Sequence, residues 1–354
     1  MKKFAFFLPQ FHEIPENDKW WGKGFTEWVN VKNAKPLYKG HKQPKIPLNN
    51  NYYNLLDKST VEWQTNLLHE FKIDGLIYYH YYFNGYKLLE KPAENLLQWK
   101  DINQPFFFCW ANHPWQRTWE GSNKVLMAMN YGTKDDWEKH FQYLLPFFKD
   151  HRYEKKDNMP LFMIFKSNDP ILNDIFLYFN QRCKDYGFNG ICLIESYHGV
   201  DYPNDFHPKG IYDNTKYVYI REPAFSNSYY RKIIKKTPEK VIRAVQNRMV
   251  KYHLSHKPQL FDGDKMYEIK LKYEPKGNNI IHGLCFEWDN TPRHHERGYV
   301  ITPVSKTMFT NYIKSIADEE YLFIDAWNEW AEGMILEPTE EDGYKYLEWI
   351  KEIS

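Results

Sequence analysis

The fold is decided by a stretch that reads Lys58-Ser-Thr-Val-Glu-Trp-Gln-Thr-Asn-Leu-Leu-His-Glu-Phe71 and, after three residues, Gly75-Leu-Ile-Tyr-Tyr-His-Tyr-Tyr82. The first part is compatible with a helix. The second part has the length of a strand and is apolar almost throughout, which is typical of a parallel strand covered on both faces. Alternation of such helices and strands predicts an α/β fold with a parallel sheet.

The same kind of apolar run recurs along the whole chain. There are eight such runs: Phe4–Leu8, Gly75–Tyr82, Pro105–Trp110, Pro160–Phe165, Gly190–Ile194, Tyr217–Ile220, Ile280–Phe286 and Tyr321–Ala326. Helix-compatible stretches lie between several of them: Lys58–Phe71, Asp135–Phe148, Ile171–Tyr186 and Ile301–Ile316. Eight repeats predict a closed (β/α)8 TIM barrel with loop insertions, formed by residues 1–354 as a single catalytic domain. The alternative is an open doubly wound sheet, but no GxGxxG motif follows the first strand and no P-loop sequence is present.

Composition narrows the class of protein. A hydrophobic content of 42% and a charged content of 26% are compatible with a sizeable core and exclude a wholly disordered chain. A formal net charge of +1 argues against a nucleic-acid partner. The unusual value is the aromatic content of 18%, which fits either a carbohydrate binder that stacks rings on sugars or a core rich in Phe and Tyr.

The sequence also carries expectations about location and cofactors. Phe4–Leu8 is shorter than the roughly 7–15 apolar residues of a signal peptide, and no run approaches the roughly 18 of a membrane span. The four cysteines form no close pair. These features predict a cytoplasmic protein, with the inner face of the membrane as a further location. No cofactor is expected, and no metal site, because His294 and His295 are adjacent and HExxH is absent.

Polar and aromatic side chains follow every predicted strand. In a barrel these positions converge on one face, where active sites of this fold lie, whereas the simpler interpretation is that strands end at the surface. The residues are Gln10, His12, Glu13, His80, Tyr81, Tyr82, Asn84, Asn112, His113, Trp115, Arg117, Trp119, Lys166, Glu195, Tyr197, His198, Arg221, Glu222, Glu287, Trp288, Asp289, Asn290, Asn328, Glu329, Trp330 and Glu332.

A basic helical insertion is predicted near residues 229–258. Between Arg231 and Lys257 the chain carries nine Lys or Arg and one acid, Glu239. Apolar residues within it fall near helical spacing, as at Ile234, Val241, Val245 and Met249. Two interpretations stay open: a surface helix with a solvated basic face, or a surface that meets anionic groups, either a membrane or a pyrophosphate-bearing donor.

The carboxyl-terminal segment Phe323-Ile-Asp-Ala-Trp-Asn-Glu-Trp-Ala-Glu-Gly-Met-Ile-Leu-Glu-Pro338 carries the clearest chemistry. Glu329 and Glu332 lie three residues apart, just past the last predicted strand, among aromatic and amide side chains. Cleavage of a glycosidic bond needs one carboxyl to protonate the leaving oxygen and a second group on the opposite side of the sugar. Burial and mutual repulsion can separate the pKa values of two such carboxyls.

This segment resembles the signature of the glycoside hydrolase family 99-like proteins. More closely it resembles their bacterial branch, the WbsX-type glycosyltransferases of lipopolysaccharide and O-antigen loci. Matching motifs run from the amino end to the carboxyl end: Leu8-Pro-Gln-Phe-His12, Ile14-Pro-Glu-Asn-Asp18, Trp20-Trp-Gly-Lys-Gly-Phe-Thr-Glu-Trp28, Trp110-Ala-Asn112, Trp119-Glu-Gly121 and Trp288-Asp-Asn-Thr-Pro-Arg293. The resemblance implies a (β/α)8 barrel that acts on glycans.

The resemblance also implies roles for individual residues. Glu329 would be the base that assists the 2-hydroxyl of the substrate, Glu332 the general acid/base, and Glu337 a sugar-binding acid. Two departures are Ala331, where the hydrolases carry His, and His113-Pro114-Trp115, where the branch often reads Glu-Asn-Trp. The predicted substrate-binding residues are His12, Trp28, His80, Trp110, Asn112, Trp119, Glu195, Trp288, Asp289, Arg293, Asn328, Trp330 and Glu337. The predicted pocket walls are Trp20, Trp21, Trp28, Trp110, Trp115, Trp119, Trp288 and Trp330.

Three functions remain open at this point. The first is a hydrolase or transglycosidase that acts on an α-linked unit of a bacterial surface polysaccharide, with an oligosaccharide, polysaccharide or lipid-linked glycan as substrate. The second is a glycosyltransferase that uses a sugar nucleotide. The third is a non-catalytic glycan-binding module, which the presence of both Glu329 and Glu332 argues against. The lack of a recognisable secretion signal favours biosynthesis over digestion of external glycans, and peripheral membrane contact through the basic segment is a further expectation.

Overall fold

A computed structural model describes residues 1–116, 125–167, 169–199, 206–235, 237–252 and 254–353. Within them, eight parallel strands form the barrel: β1 Lys2–Phe7, β2 Gly75–Phe83, β3 Phe106–Trp110, β4 Met159–Ile164, β5 Cys192–Tyr197, β6 Thr215–Ile220, β7 Ile280–Leu284 and β8 Tyr321–Ile324. The barrel is closed, because Phe4 of β1 lies opposite Gly75 of β2 on one side and opposite Phe323 of β8 on the other. The prediction of a closed (β/α)8 barrel is confirmed, and each predicted apolar run overlaps one of these strands.

Helices lie in the connections between the strands. Their bounds are α1 Pro15–Trp21, α2 Glu27–Asn33, α3 Lys58–Glu70, α4 Lys91–Gln98, α5 Lys134–Lys149, α6 Ile171–Asp185, α7 Ala224–Ile234, α8 Glu239–Lys251, α9 Gly263–Tyr273, α10 Thr291–His294, α11 Lys306–Ser315 and α12 Lys345–Glu352. The helix predicted over Ile301–Ile316 begins only at Lys306. Ile301 ends a short strand, and the Ser305 side chain caps α11 by accepting a hydrogen bond from the backbone N–H of Met308 at 3.2 Å.

The loops after the strands carry short strands and turns of their own. Trp288–Asp289 pairs antiparallel with Tyr299–Ile301, which Gln259–Phe261 extends in parallel. Asn328–Glu329 pairs antiparallel with Met334–Ile335 around the 3-10 turn Trp330–Glu332. Other short strands are Tyr86–Leu88, which extends β2, Lys155–Lys156, which pairs with β4, and Trp115–Gln116 with Val125–Met127. Further 3-10 turns are Leu48–Asn50 and His295–Arg297.

Aromatic rings fill the barrel interior. The ring of Phe4 lies 5.2 Å from that of Phe107, and the Tyr219 ring lies 5.3 Å from Phe323. Gly75 makes room for this packing, because a Cβ at that position would lie 2.4 Å from the Pro105 carbonyl oxygen and 2.7 Å from the Phe4 ring. Part of the aromatic excess in the composition is therefore core, as one of its two interpretations expected.

The basic stretch near 229–258 contains the end of α7 and the whole of α8. In the part of the chain that the structure describes, every helix is too short or too polar to cross a membrane.

Candidate active site

A cavity of about 480 Å³ lies over the carboxyl ends of the barrel strands. Seven of the eight barrel strands, or the loops that follow them, contribute residues to it. They are Leu8, Gln10, Trp21, Tyr79, Tyr81, His113, Pro114, Trp115, Phe165, Lys166, Arg221, Glu222, Pro223, Ala224, Trp288, Arg293, Tyr299, Glu329 and Glu332. Many of the residues that follow predicted strands meet here, as does the predicted pair of glutamates.

Arg293 holds the two glutamates together. The guanidinium of Arg293 donates to the Glu332 carboxylate through Nη1, and its Nη2 lies 3.4 Å from Glu329 Oε2. Glu329 comes from the two-residue strand that follows β8, and Glu332 ends the 3-10 turn. Gly333 then adopts a left-handed φ of 68°, and a Cβ there would lie 2.8 Å from the Asp289 backbone nitrogen. This tight turn brings Glu332 back beside Glu329.

A third carboxylate lies behind the pair. Glu27, the first residue of α2, is completely buried, and its Oε1 accepts a hydrogen bond from Arg293 Nε at 2.8 Å. One guanidinium thus faces three carboxylates. Glu27 is not among the predicted site residues, although it lies in the matched motif that ends at Trp28.

Burial raises the pKa of Glu329 to about 8, and the neighbouring charge of Glu332 acts in the same direction against the opposing charge of Arg293. The raised pKa means that the two carboxyls together hold one proton more tightly than separate glutamates would. Glu332 is the more open of the two, with 21% of its side chain exposed against 8% for Glu329. The arrangement places one proton and one carboxylate charge within a single cleft.

Three of the predicted tryptophans line the cavity: Trp21, Trp115 and Trp288. Trp20 lies beside them, with its ring 5.3 Å from that of Trp115. Trp288 stacks on Tyr299 at 5.7 Å with an angle of 18° between the ring planes. These rings form apolar walls of the kind that sugars stack on.

Three other predicted tryptophans are buried in the core behind the cavity. Their indole N–H groups donate inward: Trp28 to the Tyr53 carbonyl at 2.8 Å, Trp110 to the Tyr82 carbonyl at 3.1 Å, and Trp330 to Glu337 at 2.7 Å. The structure therefore does not bring Trp28, Trp110 or Trp330 to the cavity surface. Trp119 and Arg117 lie outside the described residues.

Asn328 and Glu337 support the site from below. The Asn328 side chain accepts from the Leu8 N–H at 2.7 Å and donates to the Leu8 carbonyl at 3.1 Å, which joins the ends of β8 and β1. Glu337 accepts from Tyr53, Gln64 and Trp330, and burial raises its pKa to about 7. Both residues are buried, and they position the loop that carries Glu329 and Glu332.

The remaining predicted binding residues also lie away from the cavity. His80 points outward, with Nε2 2.8 Å from His140 Nε2 of α5. Glu195 accepts from the backbone N–H groups of Ile211 and Tyr212.

The other predicted binding residues outside the cavity make contacts within and between loops. Asp289 is bound by His41 at 2.8 Å and Gln43 at 2.7 Å. Asn112 donates to the Lys166 carbonyl at 2.8 Å and so fixes the loop that carries Lys166 to the cavity. His12 is buried beneath the loop that follows β1.

Residues missed as binding candidates make up much of the cavity wall. Tyr79 and Tyr81 alternate with His80 along β2, and the Tyr79 hydroxyl accepts from Arg221 Nη2 at 2.7 Å. The period of two along a strand is the signal that could have found them. Tyr299 comes from the insertion strand Tyr299–Ile301, and no signal in the sequence marked it.

Comparison with known proteins identifies the family. The sequence pattern of the family described as Glycosyltransferase WbsX matches residues 3–350. The chain belongs to the WbsX glycosyltransferase family. The resemblance noted from the sequence motifs is thereby confirmed.

Relatives and structural neighbours of this WbsX family member extend the comparison. The uncharacterized protein WxcX of two Xanthomonas campestris pv. campestris strains is 28% identical over 359 residues, covering 97% of this chain and 48% of the relative. The chain thus spans about half the length of the curated relatives it matches.

Solved structures share the fold. Two structures of the GH99 endo-α-mannosidase from Bacteroides thetaiotaomicron match with TM-scores of 0.54 and 0.56 at 12% and 11% identity, over 99% of this chain and 96% and 97% of theirs. A glycoside hydrolase-like protein matches with a TM-score of 0.55 at 13% identity, over 99% of this chain and 93% of its own.

Proposed function

We propose that this WbsX family member is an enzyme of bacterial surface polysaccharide metabolism that cleaves or transfers an α-linked glycosyl unit with Glu329 and Glu332. The observation that supports this most strongly is the convergence of both carboxylates on Arg293 inside a tryptophan-lined cavity. Paired carboxylates that share one proton in an aromatic cleft suit glycosidic chemistry better than passive binding, which would not need the shared proton.

In the proposed reaction, Glu329 takes the proton from the 2-hydroxyl of the sugar, and that oxygen bonds to the anomeric carbon. Glu332 gives a proton to the glycosidic oxygen as the bond from that oxygen to the anomeric carbon breaks. A water or an acceptor hydroxyl then opens the strained ring, giving its proton to Glu332 while Glu329 returns a proton to the 2-oxygen. These roles follow the resemblance to the hydrolases.

The substrate class in this proposal rests on the comparisons. Two of the structural neighbours are described as endo-α-mannosidases, which supports an α-linked unit, and the family is described as glycosyltransferases. Transfer to an acceptor hydroxyl would use the same carboxylates as hydrolysis. The four cysteines are free and buried, in keeping with the expected cytoplasmic location.

The alternative, a glycosyltransferase that uses a sugar nucleotide, is favoured by the family description and by a basic groove next to the cavity. It would break the bond between the anomeric carbon and a diphosphate. The two candidates therefore differ in donor: a glycoside in the first and a sugar nucleotide in the second.

The deciding experiment compares the two donors with matched variants. Wild type, Glu332→Gln and the surface control Glu341→Gln are incubated with a panel of 4-nitrophenyl and alkyl α-glycosides, and separately with sugar nucleotides plus an oligosaccharide acceptor. We expect wild type and control to turn over a glycoside. Glu332→Gln should lose about 10²–10⁴-fold on the alkyl glycosides, which need a proton donor, and less on the nitrophenyl glycosides.

Other outcomes would count against the proposal. Turnover of sugar nucleotides alone would favour the alternative donor. Equal loss on both kinds of glycoside would remove Glu332 from the acid role, and binding of glycans without any turnover would leave a binding module.

A further inference from the structure

Helix α8 packs with its more polar side toward the body of the protein. It contacts the 3-10 turn His295–Arg297 and the strand Gln259–Phe261. On this inner side the Arg243 guanidinium lies 4.1 Å over the Phe261 ring, Gln246 Nε2 donates to the Pro258 carbonyl at 3.0 Å, and Val250 is buried. These contacts fix which face of the helix is turned to solvent.

The outer face of α8 is apolar. Val241, Ile242, Val245 and Met249, followed by Tyr252 just past the helix end, form one stripe at helical spacing, and the first two are 64% and 66% exposed. Leu254, beyond the helix, is 72% exposed. A surface helix of a globular protein normally turns such a stripe to the core, so this inverted orientation marks an interaction surface.

The apolar stripe is bordered by positive charge. Arg248 lies over the Tyr252 ring at 5.9 Å, and Lys240 and Lys251 line the groove on the inner side of the helix. The stretch of residues 231–257 as a whole carries nine Lys or Arg against one acid, while the chain has a net charge of only +1. The basic charge is therefore concentrated around a helix whose apolar face is open.

We propose that α8 docks on an anionic lipid bilayer, with its apolar stripe in the interface and the flanking Lys and Arg side chains at the head groups. An apolar stripe with basic borders is the pattern by which interfacial helices bind such membranes. Charge complementarity selects this partner: lipid head groups offer a continuous negative surface beside hydrocarbon, which matches both parts of the face. The inference does not depend on the proposed function.

The membrane face adjoins the catalytic cavity. The groove of about 930 Å³ behind α8 has an apolar floor that includes Ile234 and Phe261, and Tyr299 lines both this groove and the cavity with the glutamates. If the proposed function holds, a glycan carried on a membrane lipid would approach the carboxylates along this side.

The test uses the full chain and vesicles. We measure cosedimentation with phosphatidylcholine vesicles that contain 0% or about 30% phosphatidylglycerol, at about 0.01 M and about 0.5 M salt. Binding should require the anionic lipid and should weaken steeply with salt, because the Debye length falls from about 30 Å at 0.01 M to a few ångströms. Lys240→Glu/Arg248→Glu/Lys251→Glu should reduce the partition coefficient by about a hundredfold or more, since each basic residue near the surface contributes about fivefold.

A site-specific probe reports on the apolar face through a single substitution, so its result does not depend on whether the triple variant folds. The four native cysteines are buried, so Val245→Cys can be labelled selectively with an environment-sensitive NBD dye. Its emission should rise and shift to the blue with anionic vesicles, whereas the same label at Leu177→Cys, an exposed apolar position on α6, should not respond. Absence of cosedimentation at low salt, or an equal response at both positions, would overturn the proposal. So would loss of a dimer, without vesicles, on Val245→Ser/Met249→Ser, which would make a second copy the partner.

Discussion

Arg293 and Glu27 form a buried ion pair, with Nε and Oε1 2.8 Å apart, directly behind the two carboxylates of the candidate active site. This pair sets the orientation of the guanidinium, so that its other nitrogens face Glu329 and Glu332. It also means that the charge around the two carboxylates depends on a residue of helix α2.

The first prediction concerns the pH dependence of activity. The proposed reaction needs one carboxyl of the pair ionised and the other protonated, and burial raises the pKa of Glu329 to about 8. Because the pair gives up this proton through that pKa, kcat/KM should fall about tenfold per pH unit above about pH 8. Steady-state rates between pH 5 and 10 measure this. A rate that rises or stays level from pH 8 to pH 10 would contradict the need for a proton on the pair.

The second prediction tests the buried pair through that pH profile. The negative charge of Glu27 contributes to the raised pKa of Glu329, so Glu27→Gln should move the limb to lower pH. The positive charge of Arg293 acts oppositely, so Arg293→Met should move it to higher pH. Arg293→Met also leaves Glu27 buried without its partner and should lower the free energy of unfolding by about 3–5 kcal/mol. If both variants shifted the limb of the pH profile in the same direction, this electrostatic account would be contradicted.

The third prediction concerns the tryptophans that line the cavity. Binding of a substrate glycan to an inactive Glu332→Gln protein should change intrinsic fluorescence, because sugars would cover Trp21, Trp115 or Trp288. Trp288→Phe should reduce this change. Trp349 is buried on α12 among Phe286 and Phe309 and serves as the control. Trp349→Phe also removes one fluorescent tryptophan, but it should leave the change in fluorescence on glycan binding intact. An unchanged response in Trp288→Phe together with a loss in Trp349→Phe would refute the stacking role.

The fourth prediction concerns stability and pH at Glu337. Burial raises its folded-state pKa to about 7, above the value of 4.5 expected for an unfolded chain. The folded protein therefore binds this proton more tightly, and the free energy of unfolding should fall as pH rises from about 4.5 to about 7. The difference between wild type and Glu337→Gln isolates this contribution, which should amount to roughly 3 kcal/mol across that window. Parallel urea titrations at pH 5 and pH 8 measure it, and curves that differ equally at both pH values would rule it out.

The sequence predicted the barrel well because buried parallel strands are continuous apolar runs. The error at Ile301 has the same origin, since Tyr299–Ile301 is a short apolar strand directly before α11 and merges with its pattern. The glutamate pair was found because both members lie in one local segment. Glu27 and Tyr299 were missed because they reach the site from insertions whose position only tertiary packing sets.

The direction of side chains was harder to predict than their location in the chain. His80 was expected in the site because it lies near the end of β2, yet Tyr79 and Tyr81 face the cavity and His80 faces α5. Strict alternation along the strand decides this. The indole N–H groups of the buried tryptophans reach a backbone carbonyl or Glu337, and no sequence pattern reveals these partners.

The hydrogen bonds between Asn328 and Leu8 join residues 320 positions apart. During synthesis β1 leaves the ribosome first, with one edge unpaired until β8 follows. At 5–20 residues per second, that interval lasts on the order of 15 to 60 seconds. Glu27 emerges early, whereas Glu329 and Glu332 emerge late. Until that late segment is made, the chain has no paired carboxylates, so closure of the barrel and assembly of the carboxylate pair depend on the same segment.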